Sequence, residues 1–115
     1  MKASAYIDKV NIPCVSRLTS PAIDLSKLTE ATLSFDQAIN FATDMKSECK
    51  VQISTDGKTW EDLEVSGYPA ANGWTFVTST ASLNKYCGKK IYIGFLYTSS
   101  SSSAATWEVK NVSVN

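Results

Sequence analysis

In the segment QISTDGKTWEDL, residues 52–63, three carboxylates, a glycine and a tryptophan fall within twelve positions. Carboxylates at this density could ligate calcium or perform acid–base chemistry. Calcium fails on spacing. With Gly57 as the sixth position of an EF-hand loop, the first, third and twelfth positions fall on Gln52, Ser54 and Leu63, and the required carboxylates are missing. Glycoside hydrolysis needs two carboxyl groups about 5 to 9 Å apart across a cleft. Glu61, Asp62 and Glu64 lie side by side on one extended arm, where Glu61 points opposite to Asp62 and Glu64. A charged strand edge that resists edge-to-edge pairing accounts for them. Asp36 and Glu108 form a second pair to consider if their strands are neighbours. Histidine is absent, which excludes imidazole-based serine and cysteine hydrolases and the usual His-rich zinc and iron sites. No enzyme is expected.

An Asp-Gly pair between two alternating runs is a strong hairpin signal, because Gly57 accepts the positive φ that a two-residue turn requires. STDGKTW is similar to the Asp-box pattern SxDxGxTW of sialidase-type propellers. The spacer before the glycine is missing, however, and a single copy builds no propeller. What the two share is turn chemistry: Asp56 folding its side chain onto the local backbone, and Trp60 covering the hairpin.

The elements that must position these residues are extended. Apolar residues recur with period two in ATLSFDQAINF, where Leu33, Phe35, Ile39 and Phe41 share one phase, and in CKVQIS. Leu63 and Val65 continue the alternation after the turn. KIYIGFLYTS is apolar on both phases, as in a central strand covered on both faces. In the last segment Trp107 and Val109 are in phase, but Val112 and Val114 are shifted by one, which predicts a bulge near Lys110 and Asn111. With further strands over 15–19 and 74–80, seven short strands emerge, and the fold class is an all-β, jelly-roll-like antiparallel β-sandwich. Single helical turns are predicted in DLSKLTEA and in SLNKYCGKK, the second closed by Gly88. Pro21 suits an edge strand, and TSSSSSAA reads as a mobile hairpin loop.

With 115 residues the chain forms one domain, and its eleven cationic and eleven acidic residues cancel, so no nucleic-acid partner is expected. No run reaches the eighteen or so apolar residues of a membrane helix, and the first residues lack the apolar core of an export signal. The chain is therefore either cytoplasmic, or a segment of a longer exported polypeptide with Met1 added. Cys14, Cys49 and Cys87 are too sparse for a disulfide framework and read as small buried hydrophobes, with Cys14–Cys49 as the one bridge to consider.

Six segments in order resemble the bacterial surface modules called choice-of-anchor J or cleaved adhesin domains, sandwiches distantly similar to MAM domains. They are KASAY (2–6), RLTSPAIDLS (17–26), ATLSFDQAINF (31–41), VQISTDGKTW (51–60), GWTFVTSTASLNKYCGKKIYIGFLYTS (73–99) and TWEVKNVSV (106–114). The resemblance implies a non-catalytic extracellular module, residues 2–115, of a larger secreted or lipid-anchored bacterial protein, linked to adhesion or carbohydrate contact. It also implies a copy short of an N-terminal strand. No cofactor is expected. Structural calcium occurs in some relatives, and although Glu108 is available here, Lys110 stands where an aspartate is common.

Loops on a rigid sandwich concentrate binding groups. Tyr68 and Trp74 bracket the loop GYPAANGW, with Asn72 as an amide donor and Trp60 as a neighbour, so Tyr68, Asn72, Trp74 and Trp60 are the expected ligand contacts. A glycan or a host surface protein is the expected partner. The competing readings are a ligand-free spacer, in which Tyr68 and Trp74 are both buried, and an accessory domain of a secreted hydrolase.

Overall fold

The computed structural model describes the backbone of residues 2–4, 6–7, 10–11 and 14–115, and side chains from Cys14 onward. The strands are β1 (Lys2–Ser4), β2 (Tyr6–Ile7), β3 (Val10–Asn11), β4 (Cys14–Thr19), β5 (Ile23–Asp24), β6 (Thr32–Asn40), β7 (Cys49–Ser54), β8 (Glu61–Asp62), β9 (Val77–Ser82), β10 (Lys90–Ser99) and β11 (Thr106–Val114). A short helix, α1 (Met45–Glu48), precedes β7, and a 3₁₀ turn (Asn84–Tyr86) precedes β10.

Two antiparallel sheets face each other, one in the order β1-β11-β6-β9 and the other β4-β10-β7-β8. This is the eight-strand jelly-roll order. β5 continues the edge begun by β4, because Ser20 pairs with Ile93 and the β5 ladder then runs down to Lys90. Pro21 sits between the two on that edge, where its missing N–H costs no ladder bond. The eighth strand, beyond the seven expected, is β1, whose Lys2, Ala3 and Ser4 pair with Glu108, Trp107 and Thr106. Ala5 and the side chains of the KASAY segment lie outside the described residues.

Alternation places Leu33, Phe35, Gln37 and Ile39 of β6 opposite Ile91, Ile93, Phe95 and Tyr97 of β10 in the core. Phe95 joins the layers, packing edge-on against Phe35 at 5.5 Å and against Trp107 at 5.8 Å. Fully burying such a side chain contributes about 1.5–3 kcal/mol. The predicted bulge is present. Register shifts between Lys110 and Ser113, and Asn111 takes φ +55°, held by an Nδ2–H bond to Asp36 Oδ2 at 2.8 Å. It returns Val114 to the core margin and leaves Val112 exposed.

One polar chain runs through this core. Trp107 Nε1–H donates to Gln37 Oε1 at 2.9 Å, Gln37 Nε2 donates to Ser79 Oγ at 2.8 Å, and Ser79 Oγ donates to the Gly67 carbonyl at 2.9 Å. Gln37, Ser79 and Trp107 are all 0% exposed. Each polar group therefore has its partner inside the protein, as burial demands. Gly67 must be glycine here, because a Cβ would lie 2.8 Å from the Thr78 carbonyl and φ is +92°.

Several local expectations change. The Asp-Gly pair does not form a two-residue turn; β7 and β8 are joined by residues 55–60, with Gln52 paired to Asp62 and Ile53 to Glu61. Asp56 accounts for this longer loop. Its Oδ1 accepts the Lys58 and Thr59 N–H groups, both at 2.8 Å, and the Ser54 hydroxyl, while Gly57 takes φ +77°. These bonds, led by the one from Thr59, hold the Asp56 carboxyl down to about 2. β9 begins at Val77, so Trp74 precedes the ladder. DLSKLTEA is a hydrogen-bonded turn, whereas SLNKYCGKK holds the 3₁₀ turn and Gly88 takes φ +88° as expected. The serine run is pinned: Ser100 pairs with Ser103, Ser103 Oγ donates to the buried Glu48, and Ala104 and Ala105 are buried. Cys14, Cys49 and Cys87 are free thiols. Cys14 and Cys49 flank β10 on opposite sides, two strand spacings or roughly 10 Å apart. That is beyond the reach of a disulfide.

Replacing Gln37 with Leu leaves the Trp107 indole N–H without its buried acceptor. Urea denaturation is expected to show a loss of about 2–3 kcal/mol, and a change under 0.5 kcal/mol would mean the chain adds nothing. Because the folded Asp56 carboxyl titrates at about 2, below its ordinary 3.8, its contribution is full above pH 4 and disappears as pH falls through 2. Comparing acid unfolding of the wild type with Asp56→Asn should show a shallower pH dependence between 4 and 2 in the variant.

Candidate functional site

β6 ends at Asn40, and the next residue breaks the inward phase. Phe41 takes φ +62°, a left-handed conformation that side chains other than glycine adopt at a cost of order 1–3 kcal/mol. The backbone turn swings its ring out of the core, leaving it 63% exposed. Trp74, 55% exposed, packs edge-to-face against it at 5.9 Å and 75°. Two large aromatics in contact thus form a small apolar patch at the surface.

Asn72 holds the pair in place. Its Oδ1 accepts the Ala42 N–H at 2.9 Å and its Nδ2 donates to the Ala42 carbonyl at 2.9 Å, while the Gly73 N–H bonds the Ile39 carbonyl. The loop carrying Trp74 is thereby fastened to the strand end carrying Phe41. Phe41's own N–H bonds the Asn40 side chain.

The four residues expected at a binding surface thus take different places. Trp74 is exposed, as a ligand contact requires. Asn72 lies beside it, but its amide is committed to the backbone of Ala42 on both sides. Tyr68 is partly buried against the core, donates its hydroxyl to the Cys49 carbonyl at 2.6 Å, and is pushed well above the ordinary phenol range, chiefly by burial. Trp60 lies on the other sheet, over the outward face of Gly94, where a Cβ would come within 2.9 Å of its ring. The Arg17 guanidinium covers that ring at 4.6 Å and bonds Gln52 Oε1, and Gln52 in turn bonds Asp62. Trp60 therefore caps the sheet that contains β10 and is no neighbour of Trp74. Phe41 is the residue that alternation missed, since its phase placed it inward and its backbone conformation leaves no mark in the residue pattern.

The carboxylates do structural work. Asp36 and Glu108 lie on adjacent strands, Asp36 opposite Lys110 and Glu108 opposite Ala38, on the outward face of a sheet and not across a cleft. Asp36 accepts bonds from Asn111 and Thr78, which lower its pKa. Asp62 accepts bonds from Gln52 and Lys50, which do the same. Both stay ionised at neutral pH, unlike a general acid. A recess of about 670 Å³ lies at the open side of the sandwich between β8 and β9, with Asp62, Glu64, Thr80, Lys85 and Tyr86 in its wall. Among the described residues no three His, Cys, Asp or Glu side chains converge as a metal cage. Nor is any helix there long and apolar enough to cross a membrane. Compared with known proteins, the chain matches no family model and no curated protein.

A core phenylalanine truncated to a small residue costs about 3–5 kcal/mol. Phe41 differs, because glycine at this position relieves the left-handed strain while removing an exposed ring. Phe41→Gly is expected to stay within about 1 kcal/mol of wild type in urea denaturation. A loss above 2 kcal/mol would make Phe41 a packing residue and remove it from the site.

Proposed function

We propose that the protein is a non-catalytic binding module, an extracellular part of a longer bacterial surface protein, with carbohydrate as its ligand class. The observation that carries this reading is the Phe41–Trp74 pair: two exposed aromatic rings, one on a strained backbone, fastened together through Asn72. Sugar rings present apolar C–H faces that stack on aromatic faces, and their hydroxyls bond the polar groups around them. A ligand-free spacer has no use for a conformation that costs stability in order to expose a phenylalanine. The extracellular setting rests on the six segments similar to cleaved adhesin modules.

The test is a broad glycan array, run with and without calcium, on the wild type and on Trp74→Ala. Saturable binding to a subset of glycans is expected, reduced at least about tenfold by the substitution, since a central aromatic contact is commonly worth 1–3 kcal/mol or more. A flat response across the panel overturns the proposal.

A further inference from the structure

The chain continues from Phe41 through Ala42 into a second feature at the same end of the sandwich. Thr43, Asp44 and Ser47 form one wall of a cleft of about 270 Å³, and Thr98, Ser100 and Ser102 of the serine-rich hairpin contribute to the other. The walls are tied together by Thr43 Oγ1, which donates to Ser103 Oγ at 3.0 Å. The volume falls just under the roughly 300–1,000 Å³ typical of small-molecule pockets, room for one ring-sized group and not for a chain.

The two carboxylates of this cleft differ in how they are used. Glu48 is buried and fully engaged: Oε2 accepts the Thr43 and Asp44 N–H groups at 2.8 and 2.6 Å, and Oε1 accepts the Ser103 hydroxyl. Asp44 stands at the N-cap of α1, where an aspartate ordinarily bonds the first free N–H groups of the helix, yet its side chain makes no cap bond. Its carboxylate is exposed at the cleft. Among the described residues no lysine or arginine lines this recess, and Lys46, two positions on, lines the separate groove beside Tyr68.

We infer that this hydroxyl-lined cleft is the polar half of the site whose apolar half is Phe41–Trp74, and that Asp44 selects neutral or amine-bearing sugars against acidic ones. The inference rests on the carbohydrate reading. A sugar ring leaning on Trp74 turns its hydroxyl edge to Asp44 and to Thr43 Oγ1 and Ser47 Oγ, which donate to Ser103 Oγ and the Asp44 carbonyl and so meet it as acceptors; a carboxylate accepts two such hydroxyls or an ammonium group. A uronic acid in the same position brings a second negative charge beside Asp44 with no cation to offset it.

The experiment measures binding to oligosaccharides of a neutral hexose, an N-acetylhexosamine, the corresponding free amino sugar and a hexuronic acid. It uses the wild type, Asp44→Asn, Asp44→Lys and Trp74→Ala, with melting temperatures verifying that each variant folds. The wild type is expected to favour the best neutral or amino sugar over the hexuronic acid by about tenfold or more, a ratio that shrinks as salt screens the carboxylate. Asp44→Asn collapses the ratio, Asp44→Lys inverts it, and Trp74→Ala weakens every member. If Trp74-dependent binding is found but Asp44 variants leave the ratio where it was, or the wild type takes hexuronic acid equally well, the selectivity is overturned while the carbohydrate reading stands. If no member binds in a Trp74-dependent way, both fall.

Discussion

The buried hydrogen-bond chain from the Trp107 indole through Gln37 and Ser79 to the Gly67 carbonyl holds three strands and one loop in a single arrangement. Alternation alone forbids a slip of one residue but lets β6, β9 or β11 slip by two and keep its apolar phase inward. A chain of polar groups with no water to fall back on does not tolerate a slip, because each misplaced group loses its only partner. The register of that sheet is therefore specified twice, by alternation and by polar satisfaction. Gly67 anchors the last link, and from it the chain runs directly into the loop bearing Tyr68, Asn72 and Trp74. The position of the candidate site is thus set from within the core.

At the other end of that loop the protein departs from local preference in two places only a few residues apart. Phe41 occupies a left-handed conformation suited to glycine, and Asp44 stands at a helix start without capping it. Departures of this kind are retained where the surroundings over-determine them and something is gained elsewhere. Here Asn72 and Glu48 supply the constraint: Asn72 bonds both backbone groups of Ala42, next to Phe41, and Glu48 accepts the Thr43 and Asp44 N–H groups. What is gained is an exposed ring pair beside a hydroxyl-rich cleft.

The opposite sheet solves a different problem. Its central strand β10 is apolar on both phases, and half of that surface faces outward. Trp60 and Arg17 cover it, lying against the bare backbone of Gly94. The segment QISTDGKTWEDL therefore serves the fold: Asp56 closes the loop, Trp60 shields the sheet, and Asp62 ends a polar ladder that starts at Arg17. Its density of charge and aromatic character reflects three separate structural tasks compressed into twelve residues.

Sequence by itself determined the architecture, because β6, β7 and β11 alternate with period two and no helical segment is long enough to form a layer, so the apolar phase is buried against a second sheet. The slip in phase between Val109 and Val112 likewise marked the bulge at Lys110 and Asn111. Trp74 was legible as a loop aromatic between turn residues. Tertiary structure alone decided which aromatics stay outside: the residue pattern offers Trp60 as a ligand contact and Phe41 as an inward residue, yet the first is drawn over Gly94 of a strand 34 positions away and the second is turned outward by its φ. Long-range hydrogen bonds decided the rest, such as Asn72 to Ala42 and Ser103 to Glu48. They depend on chain segments meeting in space, and nothing in the local order of residues encodes that meeting.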